Sequence, residues 1–357
     1  MTISEFTRRG DRQTPWTHVV STPLVSIGLP TLNSGRFLAP RLESILRQTL
    51  PDWELVGIDG HSTDGTFEAL QGLALEDPRV RVSREPKDGI YPNFNRCAER
   101  AKGKYVYIAT SDDTMAEDCL EKLVAALEAN PECDIAHCPL RVIGPDGEDV
   151  QNWWQSQSIF ARSSGEWIDR RHKRAAPLDG LLCLLGDNVY SSVTQLLIRR
   201  SLFDKIGYYR ADWGSVGDFH WNLRAGLVAS SVHVPDTWAS WRMHDGQATA
   251  AAMLGSEAHD RKIDAMIADA LAALSDESCG VSEEIVSRAE KLRTFLREFE
   301  RRGGSVARKA YAAGKALSGS KPALSYFASL LPGQRRWPRH APESVRSWMN
   351  QPIAPVS

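Results

Sequence analysis

From Pro23 to Pro131 short apolar runs alternate with longer amphipathic ones, and this alternation constrains the fold more than any other feature. Leu24–Leu29 reads as a strand stopped by Pro30, and Asn33 or Ser34 is placed to cap a helix with Phe37, Leu38, Leu42, Ile45 and Leu46 on one stripe. Trp53–Ile58 reads as a second strand, after which Thr63 and Asp64 introduce a helix carrying Phe67, Leu70 and Leu73. Val80–Ser83 and Tyr105–Ala109 are strands on either side of a helix over Asn93–Lys102. Leu120, Leu123, Val124 and Leu127 mark a further helix, closed by Asn130–Pro131. Strands joined by helices of this length predict an α/β fold with a doubly wound, mostly parallel sheet.

Composition narrows the class. The chain has 357 residues, 42% hydrophobic and 25% charged, as in an ordinary globular protein. A net charge of −2 argues against bulk nucleic-acid binding. The six cysteines have no framework spacing, which favours reduced thiols and a cytoplasmic setting. Cys133, His137 and Cys138 lack a second ligand pair at zinc-finger spacing. The first 22 residues have no apolar core and read as an extension rather than a signal peptide or anchor. No apolar run approaches the ~18 residues a spanning helix needs.

In an open α/β sheet, ligands bind beyond the carboxyl ends of the strands. The fourth strand of this chain, in GKYVYIATSDD, ends at Asp112 and Asp113. Two carboxylates there suit Mg²⁺ or Mn²⁺, which share their shells with substrate phosphates. The plainer alternative is that the pair caps a helix starting near Ala116. The first turn, GLPTLNSGR, lacks the glycine pattern of a dinucleotide site, and no phosphate loop of the G-x-x-x-x-G-K-[ST] type occurs. Asp59, ending the second strand, can accept a hydrogen bond from uracil N3–H. Together the two acidic positions suggest a nucleotide-sugar site.

PLVSIGLPTLNSGRFL, ELVGIDGHSTDGT, EPKDGIY and GKYVYIATSDD resemble, in order, the signatures of family 2 glycosyltransferases with the GT-A fold. The resemblance covers about residues 23–250. It implies that Pro30, Thr31 and Asn33 line the nucleoside pocket, that Asp59 reads the base and that Asp88 lies near the nucleotide. Asp112 would approach ribose or metal, and Asp113 would be the main metal ligand. The family's acidic motif is often D-x-D, and Ser111 stands at its first position here. In ADWGSVGDFHWNLRAG, Asp218 matches the general base of an inverting transfer, with His220 as the nearby rival. TWASWRMHDGQAT resembles the R-x-H segment, making His244 an additional metal ligand and Arg242 a partner of the diphosphate.

Val142–Arg174, with Trp153, Trp154 and Trp167, is the expected acceptor side, although such tryptophans are more often packing. Ser192–Ile198 reads as a strand and Leu202–Gly207 as a helix. Beyond Ser256 two helical stripes follow, Ile263, Met266, Ile267, Leu271, Leu274 and then Ile285, Leu292, Phe295, Leu296, Phe299. Residues 251–357 are therefore expected to be a helical, basic extension of a catalytic domain at 23–250. From Arg301 to Pro342 nine basic residues occur without one acid, a pattern that suits an anionic membrane face, an oligomer contact or a solvated tail. The resemblance implies a metal-dependent inverting transfer of a sugar, UDP-linked, to a glycan or lipid-linked glycan in surface polysaccharide assembly. The rivals are a non-catalytic nucleotide-sugar or glycan-binding protein and a sugar nucleotidyltransferase.

Overall fold

A computed structural model describes residues 22–150, most of 154–245, 256–274, scattered positions between 281 and 297, and 353–355. The first strands form because their sequences are apolar enough to be covered on both faces. β1 (Val25–Thr31) and β2 (Trp53–Asp59) are buried at every position and pair in parallel, Val25 opposite Trp53 through Thr31 opposite Asp59. β3 (Val80–Arg84) joins the outer side of β2 and β4 (Tyr105–Ile108) the inner side of β1, both parallel.

The strands' two-residue period distributes the core. Val25, Ile27, Leu29, Leu55, Tyr105 and Tyr107 pack with Leu38, Leu42 and Ile45 of α1 (Gly35–Leu46), with Leu70 and Leu73 of α2 (Thr66–Glu76), and with Leu120, Leu123 and Leu127 of α4 (Cys119–Ala129). Val56, Ile58, Val106 and Ile108 face the other way, onto Tyr91, Phe94 and Cys97 of α3 (Ile90–Arg100). Helices on both faces of a mostly parallel sheet fulfil the expected α/β architecture.

The second half departs from the regular pattern. β5 (Cys133–His137) does not sit beside β4; β8 (Leu196–Arg199) runs antiparallel between them. The full sheet order is β11-β7-β9-β5-β8-β4-β1-β2-β3, where β7 is His172–Arg174, β9 Ser230–His233 and β11 Ile353–Pro355. The strand expected over Ser192–Ile198 is shorter because Ser192 and Gln195 form a capping box that closes a 3₁₀ turn at Val193–Gln195. A second, two-stranded parallel sheet pairs β6 (Leu140–Ile143) with β10 (Ala239–Arg242).

Two short helices, α5 (Ile159–Ser164) and α6 (Leu178–Cys183), lead up to β8; α7 (Ser201–Ile206) and α8 (Gly217–Val228) follow it. A Cβ built on Gly226 of α8 would lie 2.5 Å from the Gly180 amide nitrogen of α6, so the two backbones touch. Gly226→Ala should therefore cost about 1–3 kcal/mol of stability as an overpacked contact, measurable by chemical denaturation. The stripe Ile263, Met266 and Ile267 belongs to α9 (Glu257–Ala272) and joins the same core cluster as Phe219, Trp221 and Leu223 of α8. The second stripe is described only in part, and the basic run 301–340 lies outside the described residues, as does the 1–21 extension.

His172, His233 and His137 lie side by side across β7, β9 and β5, in register and fully buried. Among the described residues neither ring nitrogen of His137 finds a hydrogen-bond partner. Burial holds His137 well below the usual histidine range and brings His233 down to about 3. Among the described residues no three His, Cys, Asp or Glu side chains are grouped to hold a metal, and the five described cysteines are buried free thiols. A histidine kept neutral by folding is protonated first in the unfolded chain, so its contribution is intact above pH ~6.5 and erodes below it. His137→Leu should make stability fall less steeply between pH 6.5 and 4.5, by up to about 1.4 kcal/mol per pH unit. Denaturant titrations at the two pH values check this.

Candidate active site

The carboxyl ends of β1, β2 and β4 meet at one rim. Asp59 is fully buried there. One oxygen accepts from Thr31 Oγ1 at 3.1 Å and Ser62 Oγ at 2.5 Å; the other accepts from the Ser62 amide at 2.9 Å and faces Arg84 Nε at 3.6 Å. Asp59 thus ties the β1 and β2 ends to the loop that follows. Thr31, reaching Asp59, and Pro30 are both buried.

Asn33 adopts φ 51°, a left-handed conformation that asparagine tolerates. Its amide donates to Ser62 Oγ at 2.8 Å and its side-chain oxygen accepts the Thr63 amide at 2.9 Å. Neither Asn33 nor Ser34 caps α1 through its side chain, contrary to the sequence expectation. The Gly35 amide is satisfied instead from the neighbouring loop, by Asp64 Oδ2 at 2.9 Å. Asp64 also takes the Thr66 hydroxyl at 2.6 Å, and these donors, Thr66 first, hold its carboxyl below the usual range. Ser34 is thereby released to reach across, its hydroxyl donating to Ser111 at 2.7 Å. The serine at the first position of the acidic motif is therefore the tie between the β1 loop and the acidic turn.

Asp112 and Asp113 do not cap a helix. α4 begins only at Cys119, with Asp118 at its N-cap position. The acidic turn pairs instead with β10: Ser240 N donates to the Thr114 carbonyl at 2.8 Å and Arg242 N to Asp113 Oδ1 at 2.6 Å. Thr110 donates to the other Asp113 oxygen. Asp113 is buried, and this desolvation, with Asp112 alongside, pushes its carboxyl up to about 7. The charge of Arg41, fully buried on α1 with its guanidinium 5.6 Å over the Tyr107 ring, works in the opposite direction.

His244 lies beside Asp112 rather than Asp113, with Nε2 3.1 Å from Asp112 Oδ2 and its ring 4.8 Å from Phe37. The Arg242 guanidinium donates to backbone: Nε to the Asp112 carbonyl at 2.7 Å and Nη1 to the Gly144 and Pro145 carbonyls at 3.1 Å each. Through Nε and Nη1 Arg242 braces the acidic turn. Asp88, in the loop before α3, is held by both terminal nitrogens of Arg96 at 2.8 and 2.5 Å.

Asp218 stands in the first turn of α8, half-buried, with both oxygens engaged. Asn188 Nδ2 donates to Oδ2 at 2.9 Å and Tyr91 Oη to Oδ1 at 3.1 Å. Burial raises the Asp218 carboxyl above its usual range, while Tyr91, the Phe219 amide and Asn188 pull it down. Asn222, one turn on from Asp218, fixes Asn188 by donating to its oxygen at 2.8 Å. The rival His220 turns away, to Asp269 on α9 at 2.8 Å, and burial lowers it to about 4. Tyr91 lies within EPKDGIY, where its position beside a glycine-led helix start is a signal in hindsight; Asn188 and Asn222 have none.

A cleft of about 600 Å³ opens beside β6, lined by residues that include Arg141, Trp154, Asp169, Asp236 and Trp238. None of the residues around Asp113 or Asp218 lines it. Trp154 is mostly buried, stacked near Phe160 and His233, and reaches the cleft only at its edge; Trp153 lies outside the described residues.

Comparison with known proteins adds the following. The model of a family described as glycosyl transferase family 2 matches residues 26–207. An uncharacterized protein of Mycobacterium tuberculosis, MT1568, is 28% identical over 213 residues, 60% of this chain and 65% of that protein. A PGL/p-HBAD biosynthesis glycosyltransferase of Mycobacterium bovis is 28% identical over 221 residues, 60% of this chain and 76% of that protein. The hyaluronan synthase of Pasteurella multocida is 31% identical over 135 residues, 38% of this chain and only 14% of that synthase. Among solved structures, residues 1–349 of S. aureus TarS in complex with UDP-GlcNAc superpose with a TM-score of 0.59 at 17% identity, covering 85% of this chain and 83% of that one. The fold is the GT-A fold.

Proposed function

Because the chain belongs to glycosyl transferase family 2, we propose that it transfers a sugar, with inversion, from a nucleoside diphosphate sugar to a hydroxyl of a glycan or lipid-linked glycan. One observation carries this reading. The acidic turn at Asp112–Asp113 and the carboxylate of Asp218 are each built in by hydrogen bonds from distant segments, the first from β10 and the second from α3 and Asn188. A purely binding protein has no use for an oriented, half-buried base; an inverting displacement needs one.

Carboxylate and imidazole are donor types that Mn²⁺ or Mg²⁺ would accept, although among the described residues no three of them are grouped as a preformed site, so substrate phosphates would have to complete the shell. Asp113 and Asp112 crowd two carboxylates together until burial and repulsion raise one of them, and His244 Nε2 and Asp112 Oδ2 already lie 3.1 Å apart. In this reading Asp113 would hold the ion, with Asp112 and His244 as the other protein donors, and a divalent ion there would supply positive charge toward the diphosphate. The protein's own residues do the rest. Pro30, Thr31 and Asn33 form the nucleoside wall, with Asp59 fixing the loop that meets the base and Asp88 close by. The ground for a UDP-linked donor is the resemblance, which gives Asp59 to the base; in the structure its two oxygens are taken by Thr31, Ser62 and Arg84. Asp218 takes the proton of the incoming hydroxyl.

A thermal-shift series with UDP and GDP sugars, with and without Mn²⁺, tests the donor reading, since a ligand that binds the folded state raises its stability by about 2.7 kcal/mol at 100 times Kd. A shift with UDP sugars that requires Mn²⁺ is expected. A shift with GDP sugars alone would reassign the base pocket, and none with any would remove the donor reading. The basic run Arg301–His340 is proposed to rest on anionic lipid at the inner membrane face, where a lipid-linked acceptor would be met. Among the described residues no helix is long and apolar enough to cross a membrane. Salt-sensitive co-sedimentation with anionic liposomes, lost on truncation after Glu300, is the expected result; equal sedimentation of both forms would reject it.

A further inference from the structure

The contacts of Tyr91 cannot all be made at once. Its oxygen accepts the Asp218 amide at 2.9 Å and carries a single hydrogen. Two acceptors compete for that hydrogen, Asp218 Oδ1 at 3.1 Å and the Ser215 carbonyl at 3.2 Å. The phenol is buried, stacked on Tyr209 with centroids 5.7 Å apart and packed edge-on against Phe94, so the ring is held while the hydroxyl can turn. Burial and the neighbouring Asp218 keep the phenol itself from ionising in any ordinary range.

We propose that Tyr91 is the positioning residue of Asp218, its hydroxyl turning between two acceptors as the base is used. Directed at Oδ1, the hydroxyl fixes the carboxylate and lowers its basicity. Directed at the Ser215 carbonyl, it leaves Oδ1 open to the hydroxyl of the incoming glycan. Asn188, itself fixed by Asn222, holds Oδ2 throughout, so one carboxylate oxygen is fixed and the other is released. In the transfer the new C–O bond forms at the anomeric carbon as the bond to the diphosphate breaks. The electron pair leaves with the phosphate oxygen, the proton passes to Asp218, and Tyr91 ends with the proton it began with.

The inference rests on reading Asp218 as the base and adds how that base is governed. Tyr91 lies on the first turn of α3, three residues after Asp88, so the loop assigned to the nucleotide and the residue that orients the base share one helix start. The other groups facing Asp218 are Tyr209, which is buried and pushed up by burial and by Asp218, and the neutral amides of Asn188 and Phe219. Near the helix start Arg210 pairs with Asp212, and His220, lowered to about 4 by burial, shares a hydrogen bond with Asp269.

The test uses the full chain with Tyr91→Phe, Asp218→Asn and the double variant, assayed by initial rates across pH. Tyr91→Phe should keep the donor KM, lower kcat about 10-fold, as expected for losing a hydrogen bond to a charged group, and move the acid limb of kcat/KM to higher pH. In the Asp218→Asn background the same change should cost nothing further. Incorporating 3-fluorotyrosine, a more acidic phenol, should move the acid limb the other way; this keeps the test open should Tyr91→Phe fail to fold. A Tyr91→Phe profile that superimposes on wild type would overturn the proposal. So would an equal loss in both backgrounds, which marks a packing role. A near-wild-type rate in Asp218→Asn would overturn it as well, and would identify the base assignment as the point of failure.

Discussion

Asp113→Asn should fold normally yet lose transfer by about 10³-fold or more. The fold survives because Asp113, pushed up to about 7, is already close to its protonated form, and asparagine is nearly isosteric with it. Its side-chain oxygen can still accept from Arg242 N or from Thr110, the two donors the carboxylate now serves. What asparagine lacks is the anionic charge for a divalent ion. Charge stabilisation of a leaving diphosphate accounts for several kcal/mol, and each 1.36 kcal/mol is tenfold in rate. The measurement is single-turnover transfer with and without EDTA, alongside Mn²⁺-dependent binding of the nucleotide diphosphate. Wild-type activity unchanged by EDTA, or full activity in the variant, would remove the metal from the mechanism.

Asp218→Asn is the second large effect. Asn188 and Tyr91 hold this side chain from both sides, and an amide oxygen can still accept from one of them, so the local geometry should persist. Donor binding should be unchanged, because among the described residues the side-chain partners of Asp218 are Tyr91 and Asn188, neither of them assigned to the donor. Turnover should fall by roughly 10²–10⁴-fold, the usual cost of removing a general base. The pH dependence has a definite sign. Burial raises the Asp218 carboxyl, so the active, deprotonated form is lost as pH falls, and the acid limb of kcat/KM should lie above the ordinary carboxylate range. That limb should vanish in the variant. A collapse of donor affinity would instead place Asp218 in the donor site or in the fold.

Stated against the particular residues, the division between sequence and structure is clear. The period-two apolar strands and the 3.6-residue stripes are local properties, and they announced β1 to β4, α1, α2 and α4 within a few residues of their ends. Asp59 and Asp112–Asp113 stood out as carboxylates at strand ends, and Asp218 and His244 only through the family resemblance; what the fold adds is that His244 meets Asp112 and that Asn188 and Tyr91 hold Asp218. Periodicity names the face an element buries but not its neighbour, so nothing local revealed that β8 enters antiparallel between β4 and β5. Capping followed the same logic. Asn33 and Ser34 have the right side chains for α1, yet Asp64 comes from another loop and wins the Gly35 amide, which frees Ser34 for Ser111. The resemblance offers Arg242 as a diphosphate ligand, and nothing local announced that its Nε and Nη1 would also bind the Asp112, Gly144 and Pro145 carbonyls. Tyr91 and Asp218 are 127 positions apart, and their hydrogen bond exists only because α3 and α8 pack on the same face of the sheet. Residue types and their order fixed which chemistry was available. Tertiary packing decided which groups meet, since a buried donor or acceptor must find a partner wherever the chain brings one.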